Sequence, residues 1–382
     1  MFCCFRTTKF EPIQYIQSIK DDIQSIKDDP RSSDATTELS FDELPDIHKN
    51  NKMKVAFNIL KDLRSHDISS GNRLKFDTCG NLEEAFLDNC SIGLVPDTFS
   101  GLTSLHTLYI SNNRIETLPA SFSNLDNLVS LWLNNNQLSM LVNIPHNVES
   151  LYLSGNPLLS LHGCGGLSKL KNLNADNCSL SDISTDIQHL TNLTVCELHT
   201  NMINKLPSKI IYLKNLERLS LHQNKLTELP DEICSLTSLT WLSLHYNKLK
   251  YLPDNFGNLS KLQRLSLHHN ELEYLPNSCS NLTDLVVVSL FHNQLSNFDS
   301  LIFSNWKKCE KLALYENNLT VFPDQILMMT NLQELWLYRN NISTFPAELF
   351  LMSKLIRLWI SDETHELDDY LFCNINNKLT IL

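Results

Sequence analysis

The chain has 382 residues, with 31 Lys and Arg against 43 Asp and Glu, which gives a formal net charge of −12. This acidic balance argues against charge-driven binding to nucleic acid or to anionic membranes, and we expect no nucleic-acid partner. No uncharged apolar run reaches the roughly 18 residues that cross a bilayer.

The N-terminal sequence MFCCFRTTKFEPIQYIQSIK lacks the continuous apolar core of a secretion signal. The chain contains 11 cysteines, an odd number without a CxxC pair, and this pattern indicates reduced thiols rather than a disulfide framework. We therefore expect a cytoplasmic protein.

The N-terminal segment, residues 1–47, is predicted to be flexible. Cys3 and Cys4 stand beside apolar and basic residues, which permits acylation and with it a peripheral contact to a membrane. The alternative is a pair of unmodified thiols. Membrane contact is expected only with acylation.

Two copies of IQSIKDD follow in the same segment and place isoleucines at heptad a and d positions: Ile16, Ile19, Ile23 and Ile26. Isoleucine at both positions favours trimers or higher oligomers, although two heptads are also consistent with a marginal helix. The acidic, polar stretch DDPRSSDATTELSFDELPD at 28–46 predicts a disordered linker.

Residues 48–81 are predicted to cap the N-terminal end of the series of sequence repeats that begins at Leu82. Their apolar residues repeat at helical spacing, which indicates a short amphipathic helix: Val55, Ile59, Leu60 and Leu63. A solenoid needs such a cap because its end would otherwise expose apolar surface.

The same stretch contains KVAF, which resembles the basic-V-x-F docking motif in regulators of type-1 Ser/Thr protein phosphatase. The resemblance implies an extended strand in which Val55 and Phe57 enter apolar pockets and Lys54 meets an acidic rim. A helix and an extended strand exclude each other, so a cap and a docking motif are alternative hypotheses.

From Leu82 the pattern L-x-x-L-x-L-x-x-N-x-L recurs in 13 units of nearly constant length. The units begin at Leu82, Leu105, Leu128, Val148, Leu170, Leu193, Leu216, Leu239, Leu262, Leu285, Cys309, Leu332 and Leu355. Alternation within each unit predicts a short strand with one face buried and the other displayed.

Two further positions repeat in these units. The ninth is Asn in ten of them, and a buried amide there would satisfy the backbone of the turn after each strand. The fifteenth is Pro in eight, which fixes φ where the chain turns. Three irregular units lack this Pro: those at 128–147 and 148–169 are shorter than the common length, and the one at 285–308 is longer.

These motifs resemble the leucine-rich repeat family, and the LPxx(I/F)xxLxxL half resembles the subclass in intracellular Ras-pathway scaffolds. The resemblance covers residues 82–365. It implies an α/β solenoid, a horseshoe whose concave face is a parallel sheet of about 13 units. Residues 366–382 are then the C-terminal cap or tail.

The fifth and seventh positions of the units are displayed on this concave face and are rich in aromatic residues and histidine. The predicted partner-binding residues, which include Trp241 at a third position, are Tyr109, Trp132, Tyr152, His199, His222, Trp241, His245, His268, Tyr315, Trp336, Tyr338 and Trp359. Exposed tryptophan is typical of interface hot spots, although Trp and Tyr also favour strands in general.

The row of histidines from His199 to His268 permits a metal hypothesis, because equivalent side chains on neighbouring strands lie about 4.8 Å apart. Duplication of one unit would leave the same row. Glu197 and Glu217 are the only carboxylates that we expect near it, so we assign neither a metal nor a cofactor. Partner binding tuned by pH is a further hypothesis for this row.

No nucleophile elbow, Walker loop, HExxH or Rossmann fingerprint occurs, so we expect no catalysis. The favoured function is a signalling adaptor that binds a protein on its concave face; the family resemblance implies a small GTPase or another signalling domain. The alternative is a targeting subunit that binds a Ser/Thr phosphatase through KVAF. A metal-dependent enzyme that uses the histidine row is the third hypothesis.

Overall fold

The computed structural model describes residues 37–40, 56, 58–60, 73–360 and 380–381. Its strands form a single sheet in chain order. They are β1 (Thr37–Ser40), β2 (Arg73–Phe76), β3 (Leu82–Phe86), β4 (Thr107–Tyr109), β5 (Ser130–Trp132), β6 (Ser150–Tyr152), β7 (Asn172–Asn174), β8 (Val195–Glu197), β9 (Arg218–Ser220), β10 (Trp241–Ser243), β11 (Arg264–Ser266), β12 (Val287–Ser289), β13 (Lys311–Ala313), β14 (Glu334–Trp336), β15 (Arg357–Trp359) and β16 (Thr380–Ile381).

The predicted repeat is confirmed, because β3 to β15 are the strands of the 13 units. They run parallel and in uniform register, so that Leu219, Leu242 and Leu265 lie side by side. The three irregular units keep this register. The sheet runs from β1 to β16 without closing, as an open α/β solenoid.

The two edges of the sheet are extended by strands outside the repeats. At the N-terminal edge β1 pairs antiparallel with β2, and β2 pairs antiparallel with β3. The prediction of a disordered linker is therefore wrong at Thr37–Ser40, because the backbone of these residues pairs with the distant residues Arg73–Phe76. At the other edge β16 pairs parallel with β15 and adds a strand to the array.

The side opposite the sheet is built from short 3₁₀ helices. They span Asp97–Gly101, Ala120–Asn124, Cys164–Gly166, Thr185–His189, Ser208–Tyr212, Asp231–Ser235, Phe256–Asn258, Asn277–Asn281, Phe303–Asn305, Asp324–Met328 and Ala347–Leu351. A Pro with φ between −65° and −76° precedes seven of them, as Pro230 does, so the ring presets the turn. The fully described stretch between β5 and β6 contains no such helix.

The repeated leucines form one continuous core between the sheet and the 3₁₀ helices. Trp306 is fully buried there, and its Nε1 donates to the carbonyl of Cys279 at 2.8 Å. The eight cysteines of the described part of the chain are free thiols, as predicted, and seven of these are buried.

The asparagines at the ninth position form the predicted ladder. Asn247 Nδ2 donates to the carbonyls of Leu221 and Leu244 at 3.0 and 2.9 Å, and its Oδ1 accepts from the amide of Leu226 at 3.0 Å. Each amide thus joins two neighbouring units. Cys178 replaces one asparagine and donates its thiol to the carbonyl of Leu153 at 3.2 Å.

Residues 56 and 58–60 are helical and lie in the stretch for which the capping helix is predicted. Ala56 and Leu60 are buried in the core, and Ile59 packs against it. A Cβ at Gly101 would lie 2.9 Å from the Ile59 side chain, so glycine makes room for the cap.

Several predictions fall on residues that the structure does not describe. They concern the heptad pair, Cys3 and Cys4, most of the linker at 28–46, most of the segment from 361, and the residues Lys54, Val55, Phe57 and Leu63. Within the described ranges, no helix has the length and apolarity to cross a membrane.

Candidate protein-binding face

The strand register places the third, fifth and seventh positions of every unit on the concave face. The eighth residue, which follows the last strand residue by three positions, has a positive φ of 50° to 74° in twelve consecutive units, from Asn89 to Arg339. Glycine occupies this position only at Gly155, with φ 74°. The turn after each strand is therefore built by the same backbone conformation whatever the side chain, and the columns stay aligned.

Four rings of the fifth column form an N-terminal stack. Its members are Phe86, Tyr109, Trp132 and Tyr152, and successive ring centroids lie 4.6, 5.5 and 3.6 Å apart. Stacking leaves each ring half-buried rather than fully displayed. The stack offers a rigid apolar strip of the kind that interface hot spots use.

Seven rings of the seventh column form a longer stack, here called the ring ladder. Its members are His199, His222, His245, His268, Phe291, Tyr315 and Tyr338. Successive centroids lie 4.2 to 4.4 Å apart, close to the spacing of the strands. The predicted histidine row thus forms the first four of the seven rings in a continuous aromatic stack.

Two predicted partner-binding residues of the ring ladder are not displayed as expected. His268 and Tyr315 are only 6% and 8% exposed, because the neighbouring rings cover their faces. The serines beneath the histidines are also covered, and Ser220 and Ser243 hold the Nδ1 atoms of His222 and His245 at 2.9 Å. The buried rings and serines therefore support the stack. A partner can reach only the ends of the stack and the edges of its rings.

The hypothesis of pH-tuned binding through this row is not supported by its electrostatics. Burial, reinforced by the neighbouring imidazoles, lowers the pKa of His222 and His245 to about 2 and that of His268 to about 3. These rings therefore stay neutral throughout the physiological range.

The remaining predicted tryptophans lie farther along the same face. Trp336 and Trp359 stack with centroids 4.6 Å apart, and Arg218 lies over the ring of Trp241 at 4.5 Å. All three tryptophans are half-buried. The structure thus brings the predicted residues into two ring stacks, a tryptophan pair and an Arg–Trp contact on one face.

Sequence reasoning missed one cluster on this face, which lies at the first ring of the ladder. The expectation that Glu197 and Glu217 are the only nearby carboxylates is wrong: His199 Nε2 lies 3.0 Å from Asp176 Oδ2 on the neighbouring unit. Asp176, Glu197 and His199 converge with ligand atoms within 4.8 Å of one another. Burial and the Asp176 charge raise the pKa of Glu197 to about 7.

The phosphatase-docking motif falls at the edge of the described residues. Ala56, its third residue, is helical and buried, which favours the capping helix over an extended strand. Lys54, Val55 and Phe57 lie outside the described residues.

Comparison with known proteins identifies the repeats. A leucine-rich repeat profile matches residues 81–138 and 188–249, and a profile of the BspA type leucine-rich repeat region matches residues 253–379. No curated protein sequence matches this chain significantly.

Solved structures share the fold. A leucine-rich repeat protein of Leptospira interrogans is 29% identical, with 79% of this chain and 84% of that chain covered and a TM-score of 0.67. An internalin of Listeria monocytogenes is 19% identical over 88% of this chain and 96% of its own, with a TM-score of 0.68.

A chain from the Toll–Spätzle complex of Drosophila is 25% identical over 74% of this chain, with a TM-score of 0.61. Only 40% of that chain is covered. The regular units, their continuous sheet and the profile matches together show that this chain is a leucine-rich repeat protein.

Proposed function

We propose that this chain is a non-enzymatic cytoplasmic adaptor in signal transduction whose concave face binds a folded protein domain. The observation that carries the proposal is the pair of ring stacks, which turns the face into a long, rigid and partly accessible aromatic surface. Leucine-rich repeat arrays are typically interaction modules rather than enzymes, and a similar chain is solved in the Toll–Spätzle complex.

The dimensions of the face support a protein rather than a small molecule as the partner. Thirteen repeat strands at about 4.8 Å spacing give a floor about 60 Å long, which a small globular domain fills. The rings lose little conformational entropy on binding because stacking already fixes them. A small GTPase or a comparable signalling domain is the partner class that we propose, from the resemblance of the repeats to Ras-pathway scaffolds.

The test is affinity capture from native lysate together with direct binding to a panel of small GTPases in their GDP-bound and GTP-bound forms. Trp132→Ala with Trp336→Ala should weaken partner binding by at least about thirtyfold, because truncation of even one hot spot costs about 2 kcal/mol. The matched control is Tyr251→Ala with Tyr274→Ala, two exposed tyrosines that lie outside the strands.

The proposal requires partners that are lost with the tryptophan variant and retained with the tyrosine variant. Identical partner sets for both variants would place recognition elsewhere on the molecule. If a domain other than a GTPase binds and its binding depends on the two tryptophans, the adaptor function stands and a small GTPase is not the partner.

Targeting of a Ser/Thr phosphatase through KVAF is the alternative function and stays a prediction. It needs residues 54–57 to be extended, whereas Ala56 is helical and buried. Val55→Ala with Phe57→Ala tests it: a phosphatase catalytic subunit that is captured by the wild type and lost with this variant would establish docking.

A further inference from the structure

We propose that Asp176, Glu197 and His199 bind a divalent transition-metal ion, with Zn²⁺ as the representative, on the concave face at the first ring of the ladder. The three side chains come from two neighbouring units, and their ligand atoms lie within 4.8 Å of one another. The site uses only the first histidine of the predicted row, together with two carboxylates, and does not depend on the proposed protein partner.

The strand register explains why the three side chains meet. Asn174 of β7 pairs with Glu197 of β8, so Asp176 and His199, two residues farther along each chain, occupy equivalent positions. Residues two apart on one strand point to the same side, which places Glu197 and His199 together. The convergence is thus fixed by backbone pairing.

The spacing fits a tetrahedral ion. Zinc binds imidazole nitrogen and carboxylate oxygen at about 2.0–2.2 Å, which puts two ligands of one ion about 3.4 Å apart. His199 Nε2 and Asp176 Oδ2 lie 3.0 Å apart, and Glu197 needs only a small side-chain movement to complete the set. Three protein ligands would leave the fourth position for water or a partner group.

A chain of hydrogen bonds is compatible with His199 Nε2 as a metal ligand. The Thr200 hydroxyl donates to Gln223 Oε1 at 2.8 Å, so its oxygen is left to accept from His199 Nδ1 at 3.1 Å. With the ring proton on Nδ1, Nε2 faces Asp176 as a metal ligand. Metal-binding histidines are characteristically held in this way through their second nitrogen.

Hydrogen bonds also fix the orientation of the Asp176 carboxylate. Asn174 Nδ2 donates to Asp176 Oδ2 at 2.8 Å, and the His199 backbone amide donates to Asp176 Oδ1 at 3.3 Å. Asp176 is buried, with 9% of its surface exposed. Two carboxylates and an imidazole nitrogen thus share one small space that suits a divalent cation.

The histidines beyond His199 do not form a second site of this kind. His222 and His245 direct their Nδ1 atoms to serine hydroxyls, and the nearest described rings lie face to face with them. Metal binding is therefore expected at the end of the ring ladder, where an imidazole meets carboxylates.

The experiment is calorimetric titration of Zn²⁺ into the full-length protein, with Mg²⁺ as a comparison because imidazole does not favour Mg²⁺. Thiols that compete for zinc are first changed to serine: the exposed Cys79, together with Cys3, Cys4 and Cys373 outside the described residues. We expect about one Zn²⁺ per chain. Cobalt(II) at the site should show no thiolate charge-transfer absorption.

Substitution of the ligands distinguishes this site from adventitious binding. Glu197→Gln and Asp176→Asn should each weaken Zn²⁺ binding at least about tenfold, and Thr200→Val, which touches no metal, should weaken it by a similar factor. The matched control is Glu316→Gln, which removes a carboxylate that lies 2.9 Å from His292 and also pairs with Arg339, so that a histidine and a carboxylate meet there without a second carboxylate in the described contacts. It should leave the affinity unchanged.

Two results would overturn the proposal. One is no Zn²⁺ binding to the protein with intact ligands. The other is an affinity that Glu197→Gln leaves unchanged, given a metal-free melting temperature equal to that of the parent protein. Because Glu197 is only half-buried and glutamine matches its shape, this variant separates loss of a ligand from loss of the fold even where Asp176→Asn is destabilised.

Discussion

Two ladders run along this solenoid, one of asparagines and one of rings, and each arises from side chains at one fixed position of the repeated unit. The asparagine amides are buried and bridge backbone groups of neighbouring units, as Asn247 does. The rings lie on the opposite side of the sheet and contact one another, as His222 and His245 do. The first ladder stabilises the fold, whereas the second forms a surface.

The difference shows that repetition alone does not reveal a role. A repeated polar residue beneath the sheet is required by the backbone, because an unpaired buried amide or carbonyl is costly. A repeated ring on the concave face is not required in this way, and the column changes freely from His268 to Phe291 and Tyr315 without a break in stacking. A column in which the residue type varies is therefore more typical of a surface position than of a position that the backbone requires.

The largest effect on stability is expected when one asparagine of the ladder is replaced. Asn247→Ala should lower the free energy of unfolding by about 1–3 kcal/mol, because it leaves the carbonyls of Leu221 and Leu244 and the amide of Leu226 without this partner. Urea unfolding measures the change. The control is Asn204→Ala at an exposed loop position, which should be near neutral.

If Asn247→Ala and Asn204→Ala were equally stable, the ladder would not stabilise the fold. The two ladders would then differ only in their place in the unit and not in their contribution to stability.

A smaller effect, on the pH dependence of stability, is expected from the ring ladder. The pKa of His222 is lowered from 6.5 to about 2 in the folded protein, so the unfolded chain binds the proton first. Stability is therefore present above about pH 6.5 and is lost progressively as the pH falls toward 2. Ser220→Ala with His222→Phe should reduce the loss between pH 7 and pH 5 by on the order of 1 kcal/mol.

Melting temperatures at the two pH values test this prediction, with His189→Phe as the control because His189 is exposed. Should the double variant and the wild type lose the same stability on acidification, the histidines of the ring ladder would not be held neutral by the fold.

The smallest effect is expected on the side opposite the sheet. Pro230 has φ −70° and precedes the 3₁₀ helix Asp231–Ser235, a geometry that other residues also adopt. Pro230→Ala should therefore lower stability by only about 0.4–1 kcal/mol, through the greater entropy of the unfolded chain. Urea unfolding again provides the measurement, and a loss larger than that of Asn247→Ala would reverse the ranking of the two positions.

The sequence by itself determined the repeat, its 13 strands, the asparagine ladder and the turn prolines. These features follow from local periodicity: alternation along a strand separates the core side from the concave side, and φ at a proline is set by its own ring. The aromatic columns of the candidate face were predicted for the same reason.

Only the tertiary structure decided how residues of different units meet. Strand pairing brings Asp176 and His199 to 3.0 Å although they belong to different units, and it stacks the rings so that His268 and Tyr315 become buried. It also adds Thr37–Ser40 to the sheet, where local composition predicted disorder. Contact distances, burial and pKa depend on neighbours that the chain brings together only on folding, whereas composition and spacing describe one unit at a time.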